Sequence, residues 1–511
     1  MKHRHEPRVP KALVSVLIAG LFGVVGVANA APTYSIQKVL VAEDQWQGED
    51  GKVDPKPIYK PHETDASFFP DYWISSNERG EEAAGEPPDP STSKAGITVL
   101  KNGSNAVLAV VMIEGACLPV VNPDGSAYGC APPGAEGHPR HPHGIDIDQS
   151  RKLAYQVVEH SGLKWNATRT AFEIAATTDE ESGLLLVYDI KNPANPVILE
   201  GYVTGHAAEE SAVNESNGKV YVGNHEPSTT NVPCFVSVVS RGSSNPYRFI
   251  DLPSDQDCVQ GIEVDESLGT VNGTTHIGQK MYTFKSSNDT IAYSVDIRGP
   301  FNAFVAGLPA SQRFTIPADW VIHMHDLTTD KVNHRAYQTI HTIASATTIP
   351  DEEGGVVVEE ADEITGRWVA EVNTNPRSRD FKKVRIIDLS NGQSVPAVRT
   401  HEDATGPFQN RFVHAHFLAV DPSNDALLVS GEHTGNLGVV DTDSRKLKQV
   451  LAISRPIPGC ELLPDPETGE VPTPEPHVHG VNIQALAGTG YVSDEGEDCF
   501  YESVTVLKPN N

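Results

Sequence analysis

The chain has 511 residues, 39 basic against 68 acidic side chains, and a formal charge of −29. So acidic a surface repels nucleic acid and anionic lipid, both of which are bound by releasing counterions onto Lys and Arg. Neither is expected as a partner; a saline or alkaline habitat or a cationic protein partner suits the charge better.

Residues 1–30 read as a cleaved signal peptide. Lys2, Arg4, Arg8 and Lys11 form a basic start, 13–27 is uncharged and apolar, and Ala28-Asn29-Ala30 is a small-x-small cleavage site. Against Glu6, these four cations give the leader a net +3, so the mature chain carries about −32. No later segment is apolar enough to span a bilayer. A soluble, periplasmic protein beginning at Ala31 is expected. Its six cysteines would then meet an oxidising compartment. Sequence order pairs them locally as Cys117–Cys130, Cys234–Cys258 and Cys460–Cys499. Neither CxxC nor CxxCH occurs, which argues against a zinc ribbon, a thioredoxin-like site or c-type haem.

Taken in chain order, residues 31–511 are dominated by a repeat. A seventh unit upstream of it is expected from strands near Asp71-YWIS, Gly96-ITVLKN and Ala106-VLAVVMI. Between its first two strands, 79–94 is rich in Gly, Glu, Pro and Ser and reads as a loop. Then come HGIDIDQSRKLAYQVVEH (143–160), EESAVNESNGKVYVGNH (209–225), QGIEVDESLGTVNGTTH (260–276), HDLTTDKVNHRAYQTIH (325–341), HFLAVDPSNDALLVSGEH (416–433) and HGVNIQALAGTGYVSDE (479–495). Each is an alternating strand, a turn of Asp, Asn, Ser or Gly, and a second strand, and further strands follow most of them. Four-stranded units in a circle are propeller blades. The prediction is an all-β, seven-bladed β-propeller. The long interval after His325 is assigned to an acidic loop, 350–367. The last unit ends after its third strand, so Tyr34-SIQKVLVAE is expected to supply the fourth and remove the open edges. No helix of any length is predicted. Four N-x-S/T sites, at Asn166, Asn214, Asn272 and Asn288, read as chance matches.

The repeat register defines two columns. The first, at the start of each unit, holds His143, Glu209, Gln260, His325, His416 and His479; the four histidines stand five residues before Asp148, Asp330, Asp421 and Gln484, which sets those four at one height. In a propeller this strand lines the central channel. The second column, at the exit of the next strand, holds His160, His225, His276, His341, His433 and Glu495. His141, His323, His414 and His477 precede the first column by two and so point to its side. His206 precedes Glu209 and can substitute for the histidine that blade lacks. A second-column histidine can equally be a structural hydrogen-bonding group within its own blade. Four imidazoles converging on one axis point to metal instead, because neutral imidazole is the commonest metal ligand. A thiolate-free imidazole site suits copper, zinc, iron or nickel. More than four imidazoles exceed one tetrahedral zinc, and a cluster in an oxidising compartment favours copper. The candidate ligands are His143, His206, His325, His416, His479, His160, His225, His341 and His433.

An exported ring with histidines in both columns resembles the copper propeller oxidoreductases: the propeller domain of nitrous oxide reductase and, for its length, acidity and lack of an added cupredoxin domain, the thiocyanate dehydrogenase family. The resemblance covers the chain from about residue 34 onward. It implies a cluster of about three copper ions and oxidation of thiocyanate with water to cyanate and sulfur. It also implies delivery of two electrons to an external acceptor such as cytochrome c, whose basic face would suit this surface. Glu209 is then the candidate proton acceptor, with Arg411 and Lys101 adding positive charge for the anion. The rival readings are a non-catalytic metal-binding or surface-interaction propeller and a copper thiol oxidase. Whether two copies form a homodimer is left open.

Overall fold

Where the turn is described, the inner strand of the repeat ends on an acid or amide that folds that turn back on itself. Asp148 Oδ1 accepts hydrogen bonds from Ser150 Oγ at 2.7 Å and the Arg151 amide at 2.8 Å. Asp330 does the same for the Val332 and Asn333 amides, and Asp421 for the Ser423 amide. Such local side-chain-to-backbone bonds are why Asp and Asn mark these positions. Each hairpin is thereby fixed in register.

The protein is described by a computed structural model covering residues 32–42, 53–59, 61–65, 71–78, 94–135, 140–225, 234–254, 256–345, 364–390, 415–457, 460, 476–484, 489–495 and 499–510. The signal peptide and Arg411 lie outside the described residues. The described strands form separate hydrogen-bonded sheets in an all-β propeller. Six sheets are each drawn from one stretch of chain: 61–112, 119–203, 208–251, 259–296, 320–388 and 415–452. A further sheet joins the two ends of the chain. Tyr34–Ala42 pairs antiparallel with Ser503–Pro509, outside Thr489–Asp494 and Val478–Gln484. Tyr34 then reaches the neighbouring sheet, where its hydroxyl donates to Asp421 at 2.7 Å. Aromatic groups pack the blades together, for example Trp73 on Tyr491 at 4.7 Å and Trp165 on Tyr247 at 5.1 Å.

Several elements differ from expectation. The first sheet has an inner strand, Pro61–Asp65, which the sequence reading passed over because five residues are too few to show an alternating pattern. Arg298–Gly307 is a helix of ten residues. It forms because Phe301 and Val305 stand four apart and bury one face, Phe301 against Trp368, while Asp296 accepts from the Gly299 amide at its start. The loop assigned to 350–367 overlaps a strand, Ile364–Asn373, whose first residues pair with Thr342 and Ile343; 346–363 lie outside the described residues. The disulfides are Cys117–Cys130, Cys234–Cys258 and Cys460–Cys499, as sequence order paired them. They fit an oxidising, exported compartment. Among the described residues no helix is long and apolar enough to cross a membrane.

One backbone feature positions the site. In six inner strands the ladder shifts at the same place. Residues 62–63, 143–144, 209–210, 260–261, 416–417 and 479–480 each stand as two residues opposite one. In the 320–388 sheet the inner ladder is instead interrupted over 324–326. A bulge re-aims side chains and sharpens the local bend. Here it lets neighbouring inner strands approach closely, which is why three second bulge positions are glycine. A Cβ on Gly144 would stand 2.8 Å from the Glu209 carbonyl oxygen, one on Gly261 2.6 Å from the Leu327 amide, and one on Gly480 2.6 Å from the His62 carbonyl oxygen.

Candidate metal centre

The first bulge positions of six sheets, and His325 in the interrupted strand of the other, face the axis. Around it stand His62, His143, Glu209, Gln260, His325, His416 and His479, all buried. Ring centroids run His143–His62 4.2 Å, His62–His479 3.8 Å, His479–His416 4.4 Å and His416–His325 3.8 Å. Glu209 closes this arc, with Oε1 3.5 Å from His143 Nδ1 and 3.7 Å from His325 Nε2. The column read from the sequence is thus assembled, and His62 joins it as a fifth imidazole.

The second column surrounds the first, with a change of register. An equivalent amide on the outgoing chain donates to the residue before the inner strand in the same way at Glu159, His225, His276 and Glu495. Glu159 therefore occupies the place expected for His160, and Glu432, which follows Gly431 opposite Ala415, the place expected for His433. The side chain of His433 and all of His414 lie outside the described residues. His160 turns aside to Glu181, 3.5 Å from Nδ1, and His206 Nδ1 meets the Glu181 carbonyl oxygen at 2.6 Å. His206 therefore sits at the rim beside His160 and does not stand in for a ring histidine. His225 contacts Glu209 Oε2 at 3.1 Å, and with His276 and His323 forms an arc on that side, with ring separations of 5.5 and 5.2 Å. Lys101 is exposed at the opposite end of its sheet, paired with Tyr72, whereas the site end is Asn77 with Gly96.

Carboxylates interleave with the imidazoles. Glu432 lies 2.7 Å from His341 Nε2 and 2.6 Å from His477 Nε2. Glu495 lies 3.4, 3.6 and 3.7 Å from His477, His479 and His62. Glu78 binds His141, which also meets Glu159 at 3.2 Å and, through Nδ1, His143 Nε2 at 2.9 Å. The sequence reading missed His62, Glu78, Glu159 and Glu432, yet a signal was present. In the other repeats the two columns are sixteen residues apart, as in Glu209–His225 and His479–Glu495; the same interval links His62 to Glu78, His143 to Glu159 and His416 to Glu432.

The electrostatics keep donor atoms available. Burial, then the neighbouring His62 and His416, hold His479 well below the usual histidine range, so its ring is neutral. Burial alone would raise Glu209, but His143 and His225 beside it outweigh that and hold it well below the carboxylate range. Neutral imidazoles and ionised carboxylates are the forms that bind metal. Five sets of three donor atoms lie within 4.8 Å of one another: His416/His477/His479, His62/His479/Glu495, His62/His143/Glu209, His141/His143/Glu159 and His341/His416/Glu432. The donor set fits metal ions held by nitrogen with carboxylate support.

Immediately beyond the ring the lining changes. The second bulge positions include Glu63, Glu210 and, in the interrupted strand, Asp326. Burial and then Asp326 push Glu63 up to about 8; burial and Glu63 raise Glu210; burial, Asp65 and Glu263 raise Asp146.

No protein-family model matches the chain, and no curated protein matches it. Solved structures similar to it include Kuenenia stuttgartiensis hydrazine synthase, at 12% identity and a TM-score of 0.49, covering 90% of this chain and 99% of that one. Others are the Cps50 (Swd1) β-propeller domain of Myceliophteria thermophila, at 8% and 0.45, covering 93% and 99%, and Raptor of Chaetomium thermophilum, at 10% and 0.45, covering 94% of this chain and 29% of Raptor.

Proposed function

We propose that the chain is a periplasmic copper oxidoreductase of small anions, with thiocyanate as the first candidate, and that the sheet formed by both chain ends closes a seven-bladed ring. The observation that carries this reading is the single constellation of five axial imidazoles with Glu209, Glu432 and Glu495 between them. About three copper ions would be held by His62, His143, His325, His416 and His479, with His141 and His477 beside them. Bound copper would accept electrons and lower the pKa of a water. The balanced reaction joins thiocyanate and water, breaks the carbon–sulfur bond, forms a carbon–oxygen bond, and yields cyanate, zero-valent sulfur, two protons and two electrons. The electrons leave one at a time to a cytochrome c-type acceptor, whose basic face complements the acidic surface.

The chain's own residues divide the remaining work. Glu432 and Glu159 fix imidazole orientations by hydrogen bonding, the role carboxylates play behind metal-binding histidines, and Glu495 faces His477, His479 and His62 as a counter-charge. Glu209, so strongly ionised, is a poor base and serves better as ligand and counter-charge than as the proton acceptor. With Lys101 on the far end of its sheet, Arg140 is the better source of positive charge. It precedes His141, is 4% exposed, and its Nη1 is buried without a hydrogen-bond partner.

The test is a metal count on purified exported protein, with thiocyanate-dependent reduction of cytochrome c. About three coppers per chain and reduction with cyanate release support the reading. One copper or none, with no reduction, overturns it in favour of a non-catalytic propeller.

A further inference from the structure

Past the imidazole ring the channel opens into a cavity of about 440 Å³. Its inner end is formed by Glu63, Glu210 and Asp326, each the residue directly after a ring residue, with Phe417. Phe417 packs against the ring itself, 4.4 Å from His479 and 5.0 Å from His325 between centroids. Asp65, Asp146 and Glu263 line the middle, and Glu266, on an exposed turn, marks the outer end. The single cation of the lining, Lys331, is taken by Glu263 at 2.8 Å.

The inner end has an unusual polar account. Asp326 is satisfied, its oxygens accepting the Leu327 and Leu418 amides at 2.5 and 2.6 Å. Glu63 is only 9% exposed, and its Oε1 has no hydrogen-bond partner; the nearest imidazole nitrogen, His62 Nδ1, is 3.8 Å away. Oε1 of Glu210 is likewise buried, and the two carboxyls lie close enough to hydrogen bond to each other when one is protonated. Two acids brought together in a buried place are costly unless a positive charge lies between them. Facing one roomy cavity, they can exchange that proton for a cation.

We propose that Glu63 and Glu210 form a second cation site, made of oxygen ligands only, which stages a hydrated divalent cation beneath the imidazole ring. Small hard cations keep several waters and bind through one or two carboxylates, as a cavity of this size permits. The same lining repels anions, so an anionic substrate would reach the ring from the opposite, second-column end of the channel. The staging role rests on metal binding at the ring; the oxygen site itself does not.

The experiment uses manganese(II) alone as probe, titrated into full-length metal-free protein and followed by the loss of free-ion electron paramagnetic resonance signal. Wild-type protein should bind manganese. Glu63→Gln with Glu210→Gln should weaken that binding at least about tenfold, a conservative change that removes charge but little volume. His416→Ala should leave it unchanged. No manganese binding in the wild type, or binding unaltered in the double variant, overturns the site; the carboxyls would then be shared by a proton alone. A second measurement follows copper(II) uptake by absorbance. The double variant should load about tenfold more slowly to the same final count. Equal rates would overturn the staging role, whereas a wild type that takes up manganese but no copper would overturn the proposed function and leave the oxygen site standing.

Discussion

The two halves of the channel are built by the same described inner strands and yet have opposite chemistry. At the ring position five of seven residues are histidine, interleaved with carboxylates. One residue later the positions are Glu63, Gly144, Glu210, Gly261, Asp326, Phe417 and Gly480, with no imidazole among them. The glycines are there because the neighbouring strand leaves no room, and the acids occupy what space remains. Adjacent residues on an extended strand normally face opposite sides; the bulge turns both toward the channel and stacks a nitrogen tier directly on an oxygen tier.

The sharpest way to break this comparison is to remove one axial imidazole. His62→Ala and His416→Ala should each lower the copper count and cut turnover at least about a hundredfold, while the melting temperature of the metal-free protein changes little. His276→Ala, in the arc beside Gln260, should retain more copper than either. Equal loss in His276→Ala, with His62→Ala keeping its metal, would mean that the axial tier is structural.

A smaller effect is expected from the orienting carboxylates. Glu432→Gln keeps the volume but weakens the bonds to His341 and His477. Copper affinity should fall about tenfold, with the ring still occupied at saturating metal. Affinity equal to wild type would remove Glu432 from the centre.

The two tiers should also oppose each other in pH. His479 is held neutral by burial and its neighbours, so the folded state gains nothing from protonation there. Its contribution is present above the ordinary histidine value near 6.5 and falls away as pH drops below it. Glu63 is raised to about 8, so its contribution is full below its ordinary value of 4.5 and is lost as pH rises from there through 8. Melting of the metal-free protein across pH 4 to 9 should therefore show a maximum at mildly acidic pH. In Glu63→Gln the alkaline decline should flatten while the acidic decline stays. A decline unchanged in that variant would sink the assignment. The smallest effect is expected at Lys101. Lys101→Ala should alter the KM for the anion by less than about twofold, because the side chain is exposed on the end of its sheet away from the ring. A tenfold rise would require a role that this position does not explain.

The amino-acid sequence by itself determined the repeated strand–turn–strand units, because alternation and Asp-capped turns are local signals. It also determined that the N-terminal strand from Tyr34 completes the last unit, the three disulfides, which close short loops, and the axial places of His143, Glu209, His325, His416 and His479, which follow from the repeat register. Only the tertiary structure decided the rest. The bulges are differences in pairing between two strands and leave no mark on either strand alone. Without them His62 drew no assignment, and the second column looked like histidine where Glu159 and Glu432 stand. Whether Lys101 approached the ring depended on which end of its sheet the third strand presents. The pairing of Glu63 with Glu210 joins residues about 150 positions apart, and no local pattern carries information over that distance; it exists because separate sheets each deliver one acid to the same few ångströms of the axis.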